Sequence, residues 1–274
     1  MNAPFAATTS TRPSLFITGA AAGIGRAVAE RFAQAGWFVG LFDVDEVALQ
    51  ALMAQLQAQH GPQCGWAGRL DVCQPDDWAL QLQAFAQASG GRLDLLVNNA
   101  GISVTRSFEE VELARHHRLI DINLKGVING CHGALPYLKR TPASRVVNLC
   151  SASALYGQPM LSTYSASKAA VRSFTEALDI EWQRHGIRVV DVLPLFVDTA
   201  MVRDDVSRMK TVQTLGVRLT ADDVAQTIWR LSQARPASLP VHSPVGWQAA
   251  IFYVLAKCTP DVINRWVTAR MAGL

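Results

Sequence analysis

Ser14-Leu15-Phe16-Ile17-Thr18-Gly19-Ala20-Ala21-Ala22-Gly23-Ile24-Gly25 is the stretch that decides the fold. Its first five residues form a short apolar run of the length of a buried strand. Its last eight carry three glycines in a Gly-x-x-x-Gly-x-Gly spacing, and a helical pattern over residues 26–35 follows. A strand, a tight glycine turn and a helix together make a phosphate cradle. Glycine permits the turn and lets backbone approach a pyrophosphate, while the helix N-terminus offers N–H groups and the positive end of its dipole. The same spacing occurs at an ordinary glycine corner. Its place directly after a strand favours the dinucleotide reading, with Gly19, Gly23, Ile24 and Gly25 as the contacts.

Outward from this cradle the same pattern repeats. Residues 38–43 read as a second strand ending in Asp43, 18 residues beyond Gly25. An acid there can bond the adenosine ribose hydroxyls and would repel a 2′-phosphate, which favours NAD over NADP. The alternative is that Asp43 caps the helix expected at 46–60. Strands follow at 65–72, at 93–97 running into Asn98-Asn99-Ala100-Gly101, at 145–151 and at 187–194, with helices at 76–88, 109–138 and 162–185 between them. Solid apolar strands suit a parallel sheet covered on both faces. Regular β–α alternation implies right-handed crossovers and a doubly wound α/β fold of Rossmann type, here with seven parallel strands once residues 238–242 are counted as the last. The ligand crevice of such a sheet lies at the carboxyl ends of its strands, where Asp43, Asp71, Asn99, Ser151 and Pro194 fall. One domain is expected over 13–244. Residues 1–12 are expected to form a flexible tail, since they lack the apolar run of a leader peptide, and 245–274 a helical extension.

Ser162-Thr163-Tyr164-Ser165-Ala166-Ser167-Lys168 opens the longest helix, with Ser162 expected as its cap. Tyr164 and Lys168, four residues apart, share one helical face. A nearby ammonium favours the phenolate, so the pair suits proton transfer near neutral pH.

Composition excludes several classes. A formal net charge of +3 lacks the basic excess of a nucleic-acid-binding protein. The five cysteines, Cys64, Cys73, Cys131, Cys150 and Cys258, are odd in number and lack CxxC spacing, so they read as reduced thiols of a cytoplasmic protein. No metal-ligand pattern stands out. His116-His117 are adjacent, so they face different sides of a helix and read as solvent-facing, and Cys131-His132 read as packing. Cys150 reads as a core thiol, Trp182 as core or subunit contact, and Ser153 as either a partner of Ser151 at the substrate or a local turn residue.

Taken together, the motifs resemble the short-chain dehydrogenase/reductase family over roughly residues 15–199. The glycine loop, the Asn98-Asn99-Ala100-Gly101 motif, Asn123 within Ile122-Asn123-Leu124, Ser151 placed 13 residues before Tyr164, and Tyr164-x-x-x-Lys168 occur in the family's order. The resemblance implies an NAD-dependent alcohol dehydrogenase or carbonyl reductase acting on a secondary alcohol or ketone. It assigns Tyr164 as general acid/base, Ser151 as the group polarising the substrate oxygen, Lys168 on the nicotinamide ribose and Asn123 as holder of a water. Asp71 and Val72 would meet the adenine, Asn99, Ala100 and Gly101 the adenosine side, and Pro194, Val197 and Thr199 the carboxamide and phosphates. Homodimers or homotetramers are implied as well. Two other readings compete: a sugar-nucleotide epimerase/dehydratase, whose usual glycine spacing and larger C-terminal domain are missing here, and a catalytically silent dinucleotide sensor.

Two places depart from the resemblance. Leu195 follows Pro194 where the family has glycine, and leucine does not take glycine-only backbone angles cheaply. The tail is apolar all round over residues 249–256, then carries Val262, Ile263, Trp266 and Val267 at helical spacing. It is read as packing on its own subunit or a partner, as closing over a hydrophobic substrate, or, least favoured, as lying on a membrane surface.

Overall fold

The computed structural model describes residues 12–203 and 209–274. The expected N-terminal tail, all but its last residue, lies outside them. In chain order the elements are β1 (Ser14–Thr18), α1 (Gly23–Gln34), β2 (Phe38–Asp43), α2 (Glu46–His60), β3 (Gly65–Arg69), α3 (Pro75–Ala88) and β4 (Leu95–Asn98). Then come α4 (Leu113–Ile120), a π-helical turn (Asp121–Lys125), α5 (Gly126–Leu138), β5 (Arg145–Leu149), α6 (Ser162–Trp182) and β6 (Arg188–Pro194). The chain closes with α7 (Ala200–Arg203), α8 (Lys210–Leu215), α9 (Ala221–Gln233), β7 (His242–Val245), α10 (Gly246–Cys258) and α11 (Asp261–Ala272).

Among the described residues the strands form one parallel seven-stranded sheet in the order β3-β2-β1-β4-β5-β6-β7. This is a doubly wound α/β sheet of Rossmann type. The strand order reverses between β1 and β4, and that switch point is where such sheets bind ligands. Side chains alternate across the sheet. Leu15 and Ile17 of β1 enter a core with α1, α2 and α9, around Val28, Phe32, Leu49 and Ile228. Phe16 enters the opposite core, where Phe42 stacks on it at 3.8 Å and Trp78, Phe85 and Val171 complete the layer.

Several boundaries differ from the sequence reading. The third strand stops at Arg69 instead of Val72 because Asp71 folds into a turn, its Oδ1 accepting from Cys73 N (3.0 Å). The expected helix over 109–138 is divided by a short 3-10 turn (Phe108–Glu110), by α4 and by the π turn that carries Asn123. The seventh strand lies at 242–245, after a turn at Pro236–Ser238. Ser162 does not cap its helix. The cap is Leu161 without a side-chain bond, and Ser165 Oγ accepts from Gln158 N (3.1 Å) instead. The tail forms the two helices α10 and α11, packed on β7 and α8 of the same chain. No helix among the described residues is long and apolar enough to cross a membrane.

Candidate active site

The glycine turn is held from outside itself. Thr18 Oγ1 accepts from the backbone N–H of Asn99 and of Ala100 (3.1 Å each), and Asn99 Nδ2 donates to the carbonyls of Thr18 (2.9 Å) and Gly19 (3.0 Å). A methyl group on Gly25 would stand 2.0 Å from the Gly19 carbonyl oxygen, so only glycine lets α1 abut the turn this closely. Gly19 itself has φ +66°, and a side chain there would strike Asn99 and Ala100. Helix α1 starts at Gly23 without a side-chain cap and without an acid in its first turn, which leaves its first N–H groups for an anion.

Asp43 closes the end of β2. Its Oδ2 accepts from Ala21 N (3.0 Å), and its Oδ1 accepts from Val44 N (2.7 Å) and Asp45 N (3.1 Å). It does not cap α2; that is Asp45, which accepts from Ala48 N. Asp71 stands at the end of β3 with Arg118 of α4 at 3.4 Å. Burial alone would raise its carboxyl, but the bond from Cys73 N and the Arg118 guanidinium outweigh this and hold it below the usual carboxylate value.

At the other end of the cleft, Ser151 follows β5 and accepts from Ser153 N (3.2 Å). The local turn bond is thus made by the Ser153 backbone, and the Ser153 hydroxyl is buried without a partner. Burial pushes the Tyr164 hydroxyl up to about 12, and a hydrogen bond with Ser151 works against that rise. The expected lowering by Lys168 is not what this geometry produces. Lys168 turns its ammonium to the Leu149 carbonyl (2.7 Å), with Nζ 5.7 Å from the Tyr164 ring centroid, and burial pushes Lys168 itself below its ordinary value. Asn123 is fully buried in the π turn. It pairs with Ile102 like a neighbouring strand, Nδ2 to the carbonyl and Oδ1 from the N–H (2.9 Å each), and also reaches Ser167 Oγ (3.3 Å). Cys150 is inert: burial pushes its thiol up to about 12.

Two cavities meet here. The larger, about 410 Å³, runs over the switch point and is lined by Gly19, Gly23, Ile24, Asp43, Asp71, Val72, Asn99, Ala100, Gly101, Ser151, Tyr164, Lys168, Pro194, Val197 and Thr199. Gly25 and Asn123 lie behind its wall. The smaller, about 190 Å³, is mainly apolar. Ser151, Tyr164, Leu195 and Val202 line both. Leu195 holds no left-handed backbone angle, so the strain expected from replacing glycine does not arise; its side chain stands at the junction instead. Beyond it, Val197 pairs with Leu219, and a methyl group on Gly23 would meet Thr199 Cγ2 at 3.4 Å, so this loop lies over the cradle.

Several residues at the site escape a reading of spacing. Arg118 lines the large cavity. His116, read as solvent-facing, is buried, stacked on Phe108 and bonded through Nδ1 to Thr163 Oγ1 (2.7 Å), next to Tyr164. The wall of the small cavity includes Phe252, Leu255, Ile263 and Val267 of the tail. Nothing local in the sequence marks Arg118 or His116, because only the tertiary fold brings them to the cleft; for the tail, its apolar spacing allowed closure over a hydrophobic pocket as one of three readings. No group of three or more His, Cys, Asp or Glu among the described residues could hold a metal ion.

Known proteins resemble this chain in sequence and in overall fold. The chain is 36% identical to sulfoacetaldehyde reductase 2 of Chromohalobacter salexigens over 236 residues, 83% of this chain and 89% of that one. It is 35% identical to cis-4-hydroxycyclohexanecarboxylate dehydrogenase of Sinomonas cyclohexanicum, over 77% of this chain and 86% of that one. It spans 43% of the length of a longer relative that it also matches. The crystal structure of a short chain dehydrogenase/reductase from Burkholderia phymatum in complex with NAD superposes with a TM-score of 0.79 at 25% identity, covering 93% of this chain and 95% of that one. The short chain dehydrogenase family model matches residues 14–210, from β1 to the start of α8, and the chain belongs to that family.

Proposed function

We propose that this protein is an oxidoreductase that moves a hydride between NAD(H) and a secondary alcohol or ketone. The observation that carries this reading is the junction of the two cavities at Ser151 and Tyr164: a dinucleotide-sized cleft and an apolar pocket share one hydroxyl pair. The residues present fit a nicotinamide dinucleotide. Gly23 and Gly25 leave room at the uncapped start of α1, and a side chain at Gly25 would collide with the turn. When bound, that group supplies the hydride chemistry.

The chain's own residues supply the rest. Tyr164 gives or takes the proton at the substrate oxygen, and Ser151, which lines both cavities beside it, orients that oxygen. A tyrosine that burial holds near 12 is protonated at neutral pH and so is ready as the acid for carbonyl reduction. Lys168 presents its ammonium beside the Leu149 carbonyl, within the cleft where a ribose would sit. Asn123 fixes Ile102 at the cleft edge, consistent with a water held on the same path. Asp43, a carboxylate oriented by three backbone N–H groups, would repel a 2′-phosphate and supports NAD over NADP. A cytoplasmic setting, read from the reduced cysteines, and a homo-oligomer, implied by the family resemblance, are part of the same proposal.

Tyr164→Phe tests the assignment by removing only the hydroxyl. In an absorbance assay over secondary alcohols and ketones, kcat falls about 10²–10⁴-fold, the range of general acid/base catalysis, while NAD(H) still binds. Turnover near that of the wild type defeats the assignment, and better use of NADP than of NAD defeats the role of Asp43. A tight NAD(H) complex with no turnover on any substrate would leave the dinucleotide-sensor reading.

A further inference from the structure

The small cavity carries information about the substrate. Ser151 and Tyr164 line it, and the two tail helices provide part of its wall. Phe252 and Leu255 reach it from α10, Ile263 and Val267 from α11. Leu161, Met209 and Val212, which also line the pocket, form a buried apolar cluster against which Tyr164 and Phe196 pack. The pocket accounts for one side of the apolar α10, while Ile251 and Val254 are exposed on the other.

Among the described residues lining the pocket, no side chain is charged. The polar groups there are neutral, and two are already committed to each other: Thr259 Oγ1 to Asn264 Oδ1 at 2.7 Å, and Asn264 Nδ2 to the Thr259 carbonyl at 3.2 Å. An anion placed against these residues would lose its hydration without gaining a cation from them. The volume is also restrictive. A cavity of 150 Å³ lined by aliphatic and aromatic side chains holds a benzene ring, and this one is about 190 Å³. Its enclosed part takes a single ring with small substituents, and anything larger would extend out through the open side.

We infer that the substrate is a compact, uncharged, largely apolar secondary alcohol or ketone of about one ring, and that Phe252, Leu255, Ile263 and Val267 set this specificity from the tail. The inference rests on the hydride-transfer reading of Ser151 and Tyr164. It sets the chain apart from the two relatives described above, whose names denote a sulfonate and a carboxylate.

The experiment compares 4-methylcyclohexanone with 4-oxocyclohexanecarboxylate, the same ring with and without charge. Turnover with NADH is measured alongside calorimetric binding of each ketone in the presence of NAD+. The proteins are the wild type, Val267→Trp, which fills the pocket, and Val267→Ala, which enlarges it. The neutral ketone is expected to exceed the carboxylate at least thirtyfold in kcat/KM. Val267→Trp lowers that value at least tenfold with unchanged NAD(H) affinity, which also reports an intact fold, and Val267→Ala gains on the larger 4-tert-butylcyclohexanone. Equal or better use of the carboxylate, or no effect of Val267→Trp, overturns the inference. If no compound turns over, the oxidoreductase reading fails and binding decides: neutral-ketone binding that is weakened tenfold by Val267→Trp upholds the pocket assignment, and absence of binding overturns it.

Discussion

At the scale of single residues, Asn123 shows how a side chain can hold a cleft together without lining it. Its amide satisfies both backbone groups of Ile102 as a neighbouring strand would, and it is fully buried. Asn123→Ala leaves an N–H and a carbonyl without these partners at a partly buried position. The expected loss is about 1–3 kcal/mol in urea unfolding. Near-native stability would mean that water takes over both groups without cost. The residue was legible in the sequence through its family motif. Its pairing with Ile102 was not, because that depends on a π turn which shifts the helix by one residue and which no pattern of apolar positions announces.

At the scale of elements, α6 does two tasks along one line. Tyr164 and Lys168 face the cleft at its start. Arg172 and Glu176, one and two turns further on, form an ion pair, and Glu176 bonds His242 Nε2 at 2.8 Å. His242, on the edge strand β7, bonds through Nδ1 to the fully buried Asp191 of β6 at 2.9 Å, with Tyr253 of α10 nearby. Burial alone would lower the His242 ring. The bonds to Asp191 and then to Glu176 outweigh this and raise it above the ordinary histidine value of 6.5. A raised folded-state value means that the cationic ring stabilises the fold fully below pH 6.5, and that this contribution is lost as pH rises through the higher folded value. His242→Asn is therefore expected to cost about 3 kcal/mol at pH 6, as for a broken buried pair, and distinctly less at pH 9. Thermal melts at the two pH values check this, and a gap that widens with pH contradicts it. The strand-turn-helix units were readable because their signals are local: apolar runs, glycine spacing, and an acid at a strand end. The ties between elements, such as His242 to α6 or His116 to Thr163, join residues tens of positions apart and could only be seen folded.

At the scale of the molecule, the parallel sheet positions the cleft and the tail finishes the pocket. Helix α11 has no fully buried side chain, so it adds little to the stability of the sheet. A chain ending at Thr259 is expected to stay folded with Tm lowered by only about 2–8 °C, the shift for 1–2 kcal/mol in a protein of this size. Its kcat/KM for a monocyclic ketone should fall at least tenfold because one wall of the pocket is gone. Loss of folding, or unchanged kcat/KM, would contradict this division of labour. Gel filtration and vesicle sedimentation of the full and truncated chains show whether α11, with Val262 exposed, also meets a partner or a lipid surface.

The tail has an optical consequence. Of the seven tryptophans, Trp78 is 1% exposed and donates its indole N–H to the Val72 carbonyl, whereas Trp247 and Trp266, on α10 and α11, are 63% and 64% exposed. Trp66 on β3, at 40%, is the next most open to water. A water-soluble quencher therefore reaches the tail's indoles first. Any event that draws α10 and α11 out of water shifts the emission of these two fluorophores to the blue, so the wall of the pocket carries its own dye.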